Sequence, residues 1–478
     1  MVYNKNKWSR RTSIAQLLYT SFIVIYQNKT KTSPSTNRRK SPTRSLIMMT
    51  RSHISQLRTM LSFLATIKGD LSNITAPPFI LAPISVTEIP ASWAAHHEIF
   101  LRPAHEEDPG RRVLLVLKNF FCSLNHQVKA TTTTTAEAEN PDEKKKKKKK
   151  AGGVGIIKKP LNGFLGEIFI GSFGGSTRVV VEQVSHHPPV TASALYNLEQ
   201  GISSSGYVAQ ETTFTGGGSV CVKQVGHAIL RDRVHEESHL RTNLPTMTIR
   251  GLLTGRPYVE LQGTCYVSSS SGYLSTIVFG DDGDDDDGKG MKKSSFWGSG
   301  GPRHYVRAVV RKDGKDVYEI TGQWNGLLTV RDVAADGHAT VIESFHVDHI
   351  PSVRLDVKPI EKQSPWESRR AWEKVTGAIR RGDMGDIVRE KGKIEEAQRQ
   401  MRAVEENNGL EWPRVFFQRS GKGEKSKEFT VLARALPDPL LREPEMDRTA
   451  GSWSFVGVEA AEVLIKEGAY HDSLEPTG

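Results

Sequence analysis

Between residues 156 and 350 the apolar positions come in short β-branched or aromatic runs separated by Gly-rich or polar turns. Ser219–Gln224, Met247–Ile249, Tyr258–Leu261, Tyr305–Val310 and Val317–Ile320 are examples. Each predicts a strand, because such side chains fit a pleated, half-buried surface. Many short strands at even spacing predict an antiparallel sheet curled into a barrel, which removes exposed edges. On both sides of this region the period becomes helical. Ile54, Leu57, Leu61, Leu64 and Ile67 recur at spacings of three and four and stop at Gly69-Asp70. This helix reads either as packed on the core or as a lid over a cavity. Trp93 to Phe100 is helix-like, and Val113 to Asn125 predicts a buried helix. After the barrel, Trp372, Val375 and Ile379 mark one helix and the charged stretch Ile387 to Val404 another. Beyond Ser420 neither period is visible and the chain reads as irregular.

Composition changes the picture at three places. Residues 1–50 are rich in Ser, Thr, Lys and Arg and read as an unfolded leader. Within it, Ile14 to Tyr26 imitates a signal-peptide core without a small-residue cleavage site, and Met48 and Met49 are alternative starts. Ala130 to Gly155 is low complexity, five threonines and acidic residues followed by seven lysines at 144–150, and reads as a flexible insertion. The acidic stretch Asp281–Asp287 lacks the glutamate a calcium loop needs and reads as solvated. No apolar run is long enough for a membrane-spanning helix. Cys122, Cys221 and Cys265 lack paired spacing, which argues against a disulfide framework or a cysteine zinc site. The net charge of +11 over 478 residues favours an anionic partner, either nucleic acid or an acidic membrane leaflet. The lysine run alone fits both, as well as a plain solvated loop.

Candidate chemistry concentrates at Glu182-Gln183-Val184-Ser185-His186-His187-Pro188-Pro189, which follows the β-branched run Arg178–Val181. Neither proline can donate a ladder hydrogen bond. Neighbouring side chains on a regular strand point to opposite faces. Both imidazoles can therefore serve one ligand only if the strand bends, and Pro-Pro is the expected source of the bend. The residues alone leave open a polar turn, a phosphate site or part of a metal site. Lys391, Glu395 and Arg399 stand at i, i+4 and i+8 of the charged helix. That spacing suits a surface salt-bridge ladder or one face of a ligand site.

The octapeptide resembles the fingerprint of the oxysterol-binding protein family, whose members carry lipids between membranes. Lys158-Lys159-Pro160-Leu161-Asn162-Gly163-Phe164-Leu165-Gly166-Glu167 resembles a second family motif, with Gly163 where the family has proline. Lys391 to Arg399 resembles a third. Leu71 to Ser85 looks like the lid-to-core connection of the short, lone-domain fungal members. The resemblance covers residues 54 to 420.

The resemblance implies an α+β, mainly antiparallel fold: a large near-closed β-barrel with a lipid tunnel, an N-terminal helical lid and a C-terminal helical subdomain. The expected domains are the leader 1–50, a lipid-binding domain 51–420 with its lid at 53–80 and the Lys-rich insertion at 130–155, and an irregular segment 421–478. It further implies that Lys159, Leu161, Asn162, His186, His187, Lys391, Glu395 and Arg399 hold a phosphoinositide headgroup. Trp93, Gln127 and Gln224 would line a sterol tunnel, while Val128 and Val208 stand where sterol-binding relatives have Tyr and Asn. The implied partners are sterol, phosphatidylinositol 4-phosphate and anionic membranes, with no nucleic acid, no cofactor, no metal and no catalysis. The expected location is cytoplasmic, peripheral to endoplasmic reticulum, Golgi or plasma membrane. The competing function is a phosphoinositide sensor that moves little or no sterol.

Overall fold

Arg178–Val181 belongs to a strand, Thr177–His186, that is buried on both faces. Val179 and Val181 enter one apolar cluster and Val180 and Val184 another. A strand with two dry faces reads as a continuous apolar run rather than an alternation, and the valines here do so. The computed structural model to which this strand belongs describes residues 77–133, 156–215, 218–252, 257–280, 303–333, 339–420, 426–468, 470–471 and 476. The predicted helix at 54–67, the lysine run and the acidic loop lie outside the described residues.

The main sheet comprises β1 (Ile168–Phe173), β2 (Thr177–His186), β3 (Pro189–Asn197), β4 (Ile202–Thr215), β5 (Ser219–Asp232), β6 (Glu237–Thr242) and β7 (Thr246–Arg250). It continues with β8 (Tyr258–Ser269), β9 (Tyr273–Phe279), β10 (Tyr305–Lys312), β11 (Lys315–Gln323), β12 (Leu327–Asp332), β13 (Thr340–His346) and β14 (Leu355–Asp356). The order is β13-β12-β11-β10-β9-β8-β6-β5-β4-β3-β2-β1-β14, with β7 bridging β8 and β5, and neighbours pair antiparallel. All five of the strands predicted by example lie within it.

Chain connectivity requires this sheet to curl. Laid flat, the strand path would be roughly 58 Å wide at about 4.8 Å per strand. Its two end strands are joined by the short link from His346 to Leu355, which spans at most about 32 Å. The sheet is therefore a partial ring. Two interior glycines permit the close pairing of β4 and β5. A Cβ at Gly206 would lie 2.2 Å from the His227 carbonyl oxygen, and one at Gly226 would lie 2.1 Å from that of Tyr207.

Helix α1 (Pro109–Thr131) packs into one end of the ring. Asp108 caps it by accepting from Arg111 N at 2.7 Å, and Pro109 takes the first turn, where no donor is needed. Its Leu117, Phe120 and Phe121 join Phe279, Val306 and Val310 of the strands in one core. Trp93, at the end of the 3-10 segment Val86–Ala94, stacks on Phe120 with centroids 6.0 Å apart.

A second core lies on the outer face of β1–β4. It joins Trp366, Trp372, Val375, Ile387 and Ile394 with Trp412, Phe416 and Trp453. The predicted helices appear here as α2 (Glu373–Arg381) and α3 (Met384–Asn408). Residues 421–478, expected to be irregular, instead contribute helices Lys427–Ala433 and Val458–Glu467 and a strand, Ser452–Phe455, paired with Phe417–Ser420. Trp453 is buried, and Glu462 accepts from Tyr196 Oη at 2.7 Å and from Arg178 Nε at 3.1 Å. These elements are short and gain their order from tertiary burial rather than their own period, so no periodic signal announced them.

Candidate functional site

The bend in β2 comes earlier than expected. Gln183 pairs with Thr191 and Ser185 with Val190, so Val184 is an extra residue, a β-bulge. A bulge breaks the alternation and re-aims the side chains after it. His186 still pairs with Pro189, and His187-Pro188 forms the turn. The two rings pack edge to face, with centroids 4.5 Å apart. Pro-Pro thus closes the hairpin, while Val184 turns the histidines.

His186 Nδ1 donates to the Gly163 carbonyl at 2.9 Å, which binds the histidine strand to the lysine motif. In that motif Lys159 Nζ donates to Asn162 Oδ1 at 2.7 Å, while Leu161 is fully buried beneath. Gly163 passes so close to Gln183 that a Cβ would lie 2.8 Å from Gln183 Oε1. Lys391 of α3 pairs with Glu395 and acts on both Lys159 and His186. Burial and then Lys391 push the Lys159 ammonium down to about 8. Burial is also the main cause lowering His186, opposed by its Gly163 hydrogen bond and by Glu395, and assisted by Arg402 and Lys391. His187 is pushed the same way by burial, His186 and Arg402. The cluster is cationic and repels its own protons, as a site for an anion does.

Arg399 stands apart from this set. It pairs with Glu396 at 2.6 Å and is 60% exposed. At about 100° per residue, Arg399 lies roughly 80° around the helix from Lys391, whereas Arg402 lies about 20° away. The half-buried Arg402 is the α3 arginine that acts on both histidines. The i+11 spacing could have revealed it.

Two motif glutamates hold the site from behind. Glu167 is fully buried and accepts from Trp372 Nε1 at 2.9 Å, Thr87 Oγ1 at 2.7 Å, Phe164 N at 3.1 Å and Ser85 Oγ. Glu182 accepts from Val415 N and Phe416 N, both at 2.8 Å, and burial pushes it up to about 7. Arg414 Nε donates to the carbonyl of the bulged Val184 at 3.0 Å. Among the described residues, no group of three or more His, Cys, Asp or Glu side chains gathers as a metal site.

Trp93, Gln127 and Gln224 line one cavity, together with Val208 and residues of β3 to β6. Its empty space, open mouth included, is about 590 Å³. Thr191 belongs to its wall and donates to Gln183 Oε1 at 2.7 Å, so cavity and histidine turn share one hairpin.

A curled antiparallel sheet around such a cavity, with cations gathered at a strand turn, defines a ligand-binding barrel. The family description "Oxysterol-binding protein" matches residues 149–378. Protein kes1 of Schizosaccharomyces pombe is 36% identical over 79% of this chain and 90% of its own length. Protein KES1 of Mycosarcoma maydis is 36% identical over 72% of this chain and 82% of its own. The chain belongs to the oxysterol-binding protein family. It is also 38% identical to the probable transporter efuK of Hormonema carpetanum over 86% of this chain, spanning 54% of that longer protein. Among solved structures it is similar to the Osh1 ORD domain in complex with ergosterol, at TM-score 0.60, 19% identity and coverage of 87% and 90%. The Osh3 ORD of Saccharomyces cerevisiae in complex with PI(4)P gives TM-score 0.57, 18% identity and coverage of 88% and 95%. These structures confirm the predicted fold.

Proposed function

We propose that this chain is a lipid-transfer protein that binds sterol and phosphatidylinositol 4-phosphate in one tunnel and exchanges them between membranes. The observation that carries the reading is the convergence of Lys159, His186, His187 and Lys391 from three distant segments. A phosphomonoester carries nearly two charges near neutral pH, and several donors are needed to replace its water shell. Lys159, Lys391 and the two histidines supply those donors, Asn162 and Glu395 orient the lysines, and Leu161 packs beneath. Trp93, Gln127 and Gln224 serve the sterol, whose body lies against the apolar wall. Support for the two ligands also comes from the structural neighbours, whose complexes hold ergosterol and PI(4)P. No bond is made or broken. Lipid gradients set the direction, and the basic surface favours the anionic leaflets of cytoplasm-facing membranes.

The test is extraction of labelled sterol and phosphatidylinositol 4-phosphate from liposomes. His186→Ala with His187→Ala is expected to abolish phosphoinositide extraction and spare sterol; undiminished phosphoinositide extraction would refute the headgroup assignment. Wild type that extracts phosphoinositide but no sterol would select the sensor function instead.

A further inference from the structure

One wall of the cavity carries a cation with no carboxylate paired to it among the described residues. The registers of β3, β4, β5 and β6 set Ser193, Gly206, Ala228 and Arg241 side by side across the sheet. All four line the cavity. Three small side chains in a row leave open space on the β5 side of Arg241, while Val267 of β8 flanks it on the other. Its Cζ lies 3.4 Å from the ring centroid of Trp93, which covers one face and leaves the hydrogen-bonding edge free.

The acid that could have neutralised it is already committed. Glu237, four residues earlier on β6, is paired with Arg112 and accepts from Ser269 and Ser271. Arg112 also donates to the Glu106 and Glu107 carbonyls at 2.9 and 2.8 Å. Among the described residues, the one titratable group acting on Arg241 is the Cys265 thiol, and burial pushes the guanidinium down to about 9. A second donor is also unmatched. Gln127 Nε2, in the wall of the same cavity, is buried without a hydrogen-bond partner among the described residues. Two donors, one of them charged, call for a ligand that brings acceptors and a negative charge.

We propose that Arg241 anchors the carboxylate of an acidic lipid, so that the tunnel accepts an apolar body ending in a carboxylic acid. The inference rests on the tunnel reading above. The planar guanidinium fork matches a carboxylate in two parallel hydrogen bonds, and Gln127 adds a third donor. A hydroxyl in the same place would accept hydrogen bonds yet leave the cation uncompensated when the ligand excludes water. The apolar remainder packs on Val86, Ile89, Val208 and Leu244.

The experiment measures binding of four probes to the full chain: a steroid carboxylic acid, its methyl ester, cholesterol and oleate. Wild type is expected to bind the steroid acid at least tenfold more tightly than the ester, and Arg241→Gln to bind the two alike. Arg241→Lys, which keeps the charge but loses the fork, is expected to fall between. An Arg241-dependent gain for oleate rather than for the steroid acid would keep the carboxylate and assign it to straight-chain acids. Equal binding of acid and ester by wild type would overturn the proposal. Cholesterol separates the two readings, because loss of all cholesterol binding with the acid preference intact would count against sterol exchange alone.

Discussion

His186 donates from Nδ1 to a backbone carbonyl, which can only accept. When neutral, the ring therefore presents a bare lone pair at Nε2. It can donate to a phosphate from that atom only as an imidazolium, and burial opposes this in the free protein. Headgroup binding must then take up a proton. Affinity for phosphatidylinositol 4-phosphate is expected to rise as pH falls from about 7.5 to 6, by up to about tenfold per unit per proton. The Kd measured across that range on liposomes checks this, and His186→Gln is expected to flatten the slope. Glu182 gives a second residue-scale test. Its folded value of about 7 lies above the ordinary carboxylate value of 4.5, so the folded state holds the proton longer than the unfolded state. Wild type should accordingly lose ~1–3 kcal/mol of stability relative to Glu182→Gln as pH rises from about 4.5 to 7. Urea unfolding of both proteins at each pH reads that difference.

Among the elements, the hairpin of β2 and β3 and helix α3 form the site, and they were legible to different depths. Composition showed a strand ending in two histidines, because its valines announce a buried sheet and its prolines announce a stop. The bulge at Val184 had no local signal, since its carbonyl and the carboxylate of Glu182 are satisfied by Arg414, Val415 and Phe416, more than two hundred residues away. On α3 the motif pointed to Arg399, but helix geometry brings Arg402 to the histidines. Arg402→Ala is thus expected to weaken headgroup binding more than Arg399→Ala, by about tenfold in Kd, as liposome titration would show; the reverse order would return the role to Arg399. The pairing of β4 and β5 is equally open to test. A Cβ at Gly206 would meet backbone atoms of His227 and Ala228, so Gly206→Ala should cost about 1–3 kcal/mol in urea unfolding.

At the scale of the whole molecule, the outer aromatic core ties the C-terminal elements to β1–β4, and the inner core packs α1 against the ring that holds the cavity. Headgroup cluster and cavity wall meet on one hairpin. The net charge of +11 is expected to add attraction to anionic leaflets, of order 1 kcal/mol per lysine near the surface. Deleting residues 144–150 should lower binding to phosphatidylserine vesicles while leaving phosphoinositide extraction from neutral vesicles intact. Under the proposed exchange, sterol and phosphoinositide exclude each other from one tunnel. Protein loaded with a fluorescent sterol and mixed with vesicles containing phosphatidylinositol 4-phosphate should release one sterol for each phosphoinositide bound. Phosphoinositide binding that leaves the sterol in place would contradict it.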